Sequence, residues 1–281
     1  MSATFAVRPL GATLGAEITG LDLAQPFGGN TAQALLNTLG EHGVIVFRDQ
    51  ELTPDQHRAV TQTLGTININ RFFPTVEGHP DIAEVRKEPD QKTNVGSTWH
   101  TDHSYDAEPA LGSLLHALEV PDVGGDTLFA SMYAAYETLS DGLKDTLQGL
   151  NAIHSSAHVF GAKAVQGYAE DRFSNADKAT QTVTHPVVVH HPISGRKALY
   201  VNPQFTLRFD GWTDQESAPL LAFLAEHATR PEHVFRLQWT KGTLAIWDNR
   251  ATWHQAINDY HGHRRLMHRI TLEGCALQAA A

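Results

Sequence analysis

The sequence predicts a mainly β protein with flanking helices, built on a double-sheet antiparallel core. Three observations carry this reading. Short apolar or alternating segments recur along the 281 residues, bounded by Gly, Pro and Asn turns. Helical periodicity or capping marks only a few stretches. The strands do not alternate with helices as βα repeats do, which argues against a doubly wound parallel sheet. No linker interrupts the pattern, so residues 1–281 read as one domain.

In order along the chain, residues 5–23 alternate apolar and polar with glycine punctuation, as short strands do. Residues 31–42 suit an amphipathic helix with Leu35, Leu36 and Leu39 on one side, ended by Gly43. Val44-Ile45-Val46-Phe47 is a buried strand. Thr53-Pro54-Asp55-Gln56 predicts a capped helix start, with Gln56 closing the box and the helix running to Leu64. Residues 66–98 carry weak signals around one strand, Ile82 to Arg86. Leu111 to Val120 and Asp126 to Phe129 are strands either side of a Gly124-Gly125 turn. Residues 132–149 predict the longest helix. The pattern dissolves from 155 to 182, a length that suits a lid. Val183 to His191 pairs with Lys197 to Asn202 around Pro192–Gly195. Thr213 caps a helix over 213–228, with Glu216 closing the box. Val234 to Trp239 and Leu244 to Trp247 form a second hairpin around Lys241-Gly242.

Bulk properties narrow the function. The net charge of −10 comes without a dense Lys/Arg cluster, which argues against nucleic acid and anionic membranes as partners. No apolar run approaches the ~18 residues of a membrane span, and the N-terminus carries no secretory pattern. The single Cys275 excludes a disulfide framework and suits a reducing cytoplasm.

The chemistry centres on Ser97-Thr98-Trp99-His100-Thr101-Asp102-His103. In a strand, His100 and Asp102 share one face and His103 points away. One further histidine would complete a two-histidine, one-carboxylate set that holds Fe(II) on one side. The spacing alone is weak, because 17 histidines make a chance His-x-Asp expected. A second copy at His79-Pro80-Asp81 reads as a turn. Company comes later, in Trp253-His254-Gln255 and in His263 to Ile270. There Arg265, Met267 and Arg269 share one strand face. Two arginines in one cavity are tolerable when anions lie between them, and their forks suit carboxylates.

With these residues assembled, the chain resembles the taurine/2-oxoglutarate dioxygenase family, which includes aryloxyalkanoate and alkylsulfate dioxygenases. The likeness covers nearly the whole chain. It runs from Arg8-Pro9-Leu10-Gly11 through Val46–Gln50, Trp99–Asp102, Gly124–Thr127 and Tyr200-Val201-Asn202 to Trp247-Asp248-Asn249-Arg250 and the arginine pair. The resemblance implies a jelly-roll double-stranded β-helix with cupin-like topology. It implies Fe(II) held by His100, Asp102 and His254, with 2-oxoglutarate and O2 as cosubstrates. Thr127 and Arg265 would grip the distal carboxylate, and Arg269 the near carboxylate or an anionic substrate. Succinate and CO2 would accompany hydroxylation of a substrate C–H. Related halogenases lack the carboxylate, so Asp102 favours hydroxylation.

Substrate contacts are expected from the loops at 66–98 and 155–182. Taurine enzymes of the family carry histidine and tyrosine where this chain has Asn70 and Phe73. They have asparagine at the position of Gly96 and serine at that of Val159. Leaving a small zwitterion's charges unpaired is costly. Asn70, Phe73, Tyr105, Val159 and Phe160 therefore suggest a larger, more apolar anion, with its charge on Arg269. Val159-Phe160-Gly161 and Arg172-Phe173-Ser174-Asn175 look more like the phenoxypropanoate-cleaving members than the taurine enzymes. Assembly as a homo-dimer or homo-tetramer is the family expectation. A zinc hydrolase on the same barrel leaves the arginines and Thr127 without a task. A non-catalytic 2-oxoglutarate sensor leaves an intact triad without one.

Overall fold

A computed structural model describes residues 5–161 and 179–280. Strands β1 (Ala6–Pro9) and β2 (Ala16–Thr19) precede helix α1 (Gly29–His42). Strand β3 (Val44–Phe47) follows directly, because Gly43 adopts φ 69° and reverses the chain. Helix α2 (Pro54–Leu64) starts on the reciprocal Thr53–Gln56 box. Strands β4 (Ile67–Asn68), β5 (Thr75–Val76), β6 (His79–Lys87), β7 (Gly112–Glu119) and β8 (Thr127–Ser131) come next. Helices α3 (Met132–Glu137) and α4 (Asp141–Gln148) lead to β9 (Asn151–Ser155) and the short α5 (Ala157–Phe160). Strands β10 (Thr182–Pro186), β11 (Val188–His190), β12 (Lys197–Leu199) and β13 (Thr206–Phe209) precede α6 (Asp214–Ala228). The chain closes with β14 (Val234–Leu237), β15 (Leu244–Asp248), β16 (Thr252–Ala256), β17 (Arg265–Leu272) and β18 (Gln278–Ala279).

The architecture is the jelly roll that the pattern and the resemblance implied. A large sheet runs β1-β2-β3-β15-β7-β17-β6-β5, with β4 added to β17. Its pairs are antiparallel except β2 with β3, which is parallel. A smaller sheet, β14-β8-β16, faces it. Alternation along the central strands explains both cores. On β15, Leu244 and Ile246 pack with Leu35, Leu39, Val60 and Leu64 of α1 and α2. Ala245 and Trp247 point the other way, onto Phe129 and Leu237 of the small sheet and Met267 of β17. Because both faces are covered, these strands read as continuous apolar runs.

Four sequence expectations need correction. Val234–Trp239 and Leu244–Trp247 are not a hairpin: β14 pairs with β8, whereas β15 lies between β3 and β7. The turn at Gly242, φ 80°, instead carries the chain from one sheet to the other. The helix expected over 132–149 breaks in two at Thr138–Ser140, where the Thr138 hydroxyl donates to the Ala134 carbonyl and meets His227 and His233. The longest helix is α6, with the expected Thr213–Glu216 box. The strand expected over 183–191 is interrupted, with β10 pairing β9 and only β11 pairing β12. His79-Pro80-Asp81 is the start of β6 rather than a turn, which ends at Gly78.

Candidate active site

His254 lies on β16, and the backbone brings His100 opposite it. The His100 N–H donates to the His254 carbonyl at 3.1 Å, and the His254 N–H returns the bond at 2.7 Å. This single antiparallel bridge is all the strand character residues 98–103 have. The strand expected there is therefore wrong, and so is its same-face argument. Asp102 reaches the site because the chain turns beyond the bridge, with His103 at φ 60°. His100 Nε2 lies 3.7 Å from Asp102 Oδ1, and His254 Nε2 lies 3.8 Å from Oδ2. One ligand atom from each residue falls within 4.8 Å of the others, and all three residues are buried. Among the described residues no other His, Cys, Asp or Glu group meets this criterion.

The protonation states suit a metal. His100 Nδ1 lies 2.7 Å from the Thr98 carbonyl, which can only accept, so the proton sits there and Nε2 is bare. Burial pushes His254 down to about 3, with His100 adding to the shift. Burial likewise lowers His100, against the pull of Asp102. Burial alone would raise Asp102, but Arg269, His254 and His100 outweigh it and hold the carboxyl below its ordinary range. Arg269 Nη1 and the Ser113 hydroxyl both donate to Asp102 Oδ2, at 3.3 and 3.4 Å. Two neutral imidazoles and one carboxylate, gathered on one side with bare nitrogens, fit Fe(II) with open positions opposite.

The same cavity is lined by Thr127, Arg265 and Arg269, and by Asn70, Phe73, Tyr105, Val159 and Phe160. The structure thus brings every candidate residue of the sequence reading to one place. Arg265 is buried, makes no ion pair among the described residues, and leaves Nε without a partner. Burial lowers its affinity for its proton, so a carboxylate beside it would gain a desolvated, fork-shaped donor. The Thr127 hydroxyl accepts from Trp239 Nε1 at 2.9 Å. Arg269 lies 4.7 Å from the centre of the Phe73 ring, and its Nε also lacks a partner. Phe160 stacks on Phe72 at 4.6 Å and meets Tyr105 edge-on at 5.9 Å. Asn70 holds its own loop: its Oδ1 accepts from the Phe72 and Phe73 N–H groups, leaving only the amide N–H2 for a ligand. Residues 172–175 lie outside the described residues.

Sequence reasoning missed His103, Ser113 and Trp239, and read Gly96 only as a difference on the substrate side. His103 was expected to point away, yet it lines the cavity and bonds Asp106, which pairs with Arg71 at 2.5 Å. Gly96, φ 80°, also lines it, and a Cβ there would lie 3.3 Å from the His100 ring. Ser113 and Trp239 support Asp102 and Thr127 from β7 and from the crossing after β14. No local spacing signals the last two, because their partners are over ten residues away in sequence.

A jelly roll with this triad and two buried arginines in one cavity defines the class of non-haem iron oxygenases. Comparison with known proteins resolves the family. The model for the taurine catabolism dioxygenase TauD, TfdA family matches residues 6–271. An alkylsulfatase of Acinetobacter baylyi is 36% identical over 95% of this chain and 84% of its own. The alpha-ketoglutarate-dependent 2,4-dichlorophenoxyacetate dioxygenase of Cupriavidus pinatubonensis is 31% identical, over 95% and 97%. A taurine dioxygenase from Burkholderia xenovorans superposes with TM-score 0.82 at 32% identity, covering 98% of this chain and 93% of that one. The chain belongs to the TauD/TfdA dioxygenase family, and it is a 2-oxoglutarate-dependent oxidoreductase.

Proposed function

We propose that this dioxygenase hydroxylates a carbon next to a heteroatom in a small anion with an apolar body, with an aryloxyalkanoate-like carboxylate as the favoured substrate. The observation that carries this reading is the cavity itself. The triad opens into a cavity lined by two under-partnered arginines and by an aromatic wall of Phe73, Tyr105 and Phe160. Bound Fe(II), with 2-oxoglutarate and O2, supplies decarboxylation to succinate and CO2 coupled to C–H hydroxylation. His100, His254 and Asp102 hold the metal from one side. Thr127 and Arg265 take the distal carboxylate of 2-oxoglutarate. Arg269 clamps Asp102 with one nitrogen and offers the rest of its fork to the substrate anion. The aromatic wall excludes water and packs the apolar body, with Val159 beside it. The Asn70 N–H2 is a donor suited to an anionic or ether oxygen. Asn70 and Phe73 reach the cavity from the segment between β4 and β5, and Val159 and Phe160 from α5.

Hydroxylation beside oxygen gives a hemiacetal-type product that collapses, releasing a phenol from an aryl ether. A sulfate ester is the second reading, favoured by the alkylsulfatase relative, and would release sulfate. The single exposed Cys275 fits a cytoplasmic setting, and assembly as a dimer or tetramer belongs to the same proposal. Succinate release with Fe(II), 2-oxoglutarate and O2 tests it, comparing the 2-phenoxypropanoate enantiomers, a medium-chain alkyl sulfate and taurine. Stimulation by one phenoxypropanoate enantiomer with phenol released is the expected result. Stimulation by the alkyl sulfate alone would move the assignment to the second reading. Stimulation by taurine would overturn the apolar-pocket argument.

A further inference from the structure

Behind the two residues assigned to the distal carboxylate stands a tryptophan that no step above uses. Trp239 lies just beyond β14, on the crossing between the two sheets, and is buried. Its Nε1–H donates to Thr127 Oγ1 at 2.9 Å, and the Arg265 guanidinium carbon lies 5.7 Å from the centre of its ring. One side chain therefore touches both members of the grip, through two different kinds of contact.

The direction of the first contact is unambiguous. An indole nitrogen only donates, so the threonine hydroxyl accepts and keeps its own proton to give. Among the described residues that proton has no acceptor, although Thr127 lines the cavity. With one lone pair committed to the indole behind it, the hydroxyl has fewer orientations left, and an anion in the cavity meets a donor already turned toward it. The ring meanwhile gives Arg265, which has no carboxylate partner among the described residues, a fixed surface to lie beside. Preorganised donors of this kind raise affinity by reducing what binding must order.

We infer that Trp239 is a positioning residue for 2-oxoglutarate, turning the Thr127 hydroxyl proton toward the distal carboxylate and setting Arg265 next to it. The inference rests on the assignment of Thr127 and Arg265 to that carboxylate. It distinguishes the two functions of the indole, since Phe keeps a ring for Arg265 and deletes only the N–H.

The test is a double-mutant cycle read as the Kd for 2-oxoglutarate, by calorimetry on Fe(II)-loaded protein under anaerobic conditions. T127V is expected to weaken binding about tenfold and W239F about three- to tenfold, the range of one hydrogen bond. The W239F/T127V double variant should bind no more than about twofold weaker than T127V, because the indole acts through the hydroxyl. In turnover, W239F should raise KM for 2-oxoglutarate and leave kcat within about twofold. A W239F affinity equal to wild type, or losses that multiply in the double variant, overturns the inference. If T127V and R265A both bind 2-oxoglutarate as wild type does, the carboxylate assignment itself fails and the inference falls with it. Should W239F not fold, the Trp239 indole N–H resonance in Zn(II)-loaded protein decides. It should move on adding 2-oxoglutarate to wild type and move less in T127V, where only the contact with Arg265 remains. An unmoved wild-type resonance overturns the inference.

Discussion

Asp102 is the residue on which most of the site converges. Its carboxylate faces both imidazoles, Arg269 and the Ser113 hydroxyl. Asp102→Ala removes the acidic member of the candidate triad and the carboxylate to which Arg269 donates. We expect iron content to fall with it and succinate formation to drop at least about 100-fold, more than loss of an outer partner would cost. Succinate formation at the wild-type rate would show that the ligand set is wrong. Gly96 is a subtler case. Its φ of 80° disfavours any side chain, and a Cβ would crowd the His100 ring at 3.3 Å. Gly96→Ala should cost about 1–2 kcal/mol of stability and weaken iron binding, measured by metal titration alongside thermal unfolding. The backbone at this glycine thus bears on a metal ligand as well as on pocket shape.

Among the elements, β15 and β16 show how the candidate ligand His254 is carried. β15 ends on Asp248, fully buried, which accepts from the side chain of Arg250 in the following turn at 2.9 and 2.6 Å. His191, just beyond β11, meets the same carboxylate at 2.9 Å. Burial would raise the Asp248 carboxyl, but Arg250 and His191 hold it below its ordinary range. A buried carboxylate paired on two sides leaves a buried cation unpaired when it is neutralised. Asp248→Asn should therefore lose about 3–5 kcal/mol in denaturant unfolding, with the damage centred on the strand that carries His254. The family mark Trp247-Asp248-Asn249-Arg250 was readable in the sequence, but this structural role was not. It joins His191, just beyond β11, to the end of β15, more than fifty positions away.

Across the whole molecule, buried histidines make the fold acid-sensitive. His57 packs under the large sheet with both ring nitrogens unpartnered, and burial, ahead of His116 and His268, holds it down at about 3. Burial also lowers His154 to about 3 and His268 to about 4. The unfolded chain takes up these protons near pH 6.5, whereas the folded one resists them. Stability is therefore complete above about pH 6.5 and is lost progressively as the pH falls toward the folded values. The Tm of chelator-treated protein should drop between pH 7 and pH 4.5. The drop should be smaller in His57→Phe, which removes one of the groups and its two unsatisfied nitrogens. An identical pH profile for the variant would remove His57 from the account.

The sequence by itself determined the features whose causes lie within a few residues. The Thr53 and Thr213 capping boxes, the Gly43 stop and the buried run Val44–Phe47 all appear where local chemistry puts them. That His100, Asp102, His254, Thr127 and the arginine pair belong to one cavity was also legible, because their order along the chain is specific. Only the tertiary structure decided which strands pair. A buried strand has the same two-residue period whichever sheet it joins, so β14 and β15 looked like a hairpin and are not. Tertiary structure also decided how His100 and Asp102 converge. A bridge to His254 and a left-handed turn at His103 do what a regular strand was expected to do. The supports at Ser113 and Trp239 became visible only there, since a hydrogen bond between distant elements leaves no spacing in the sequence.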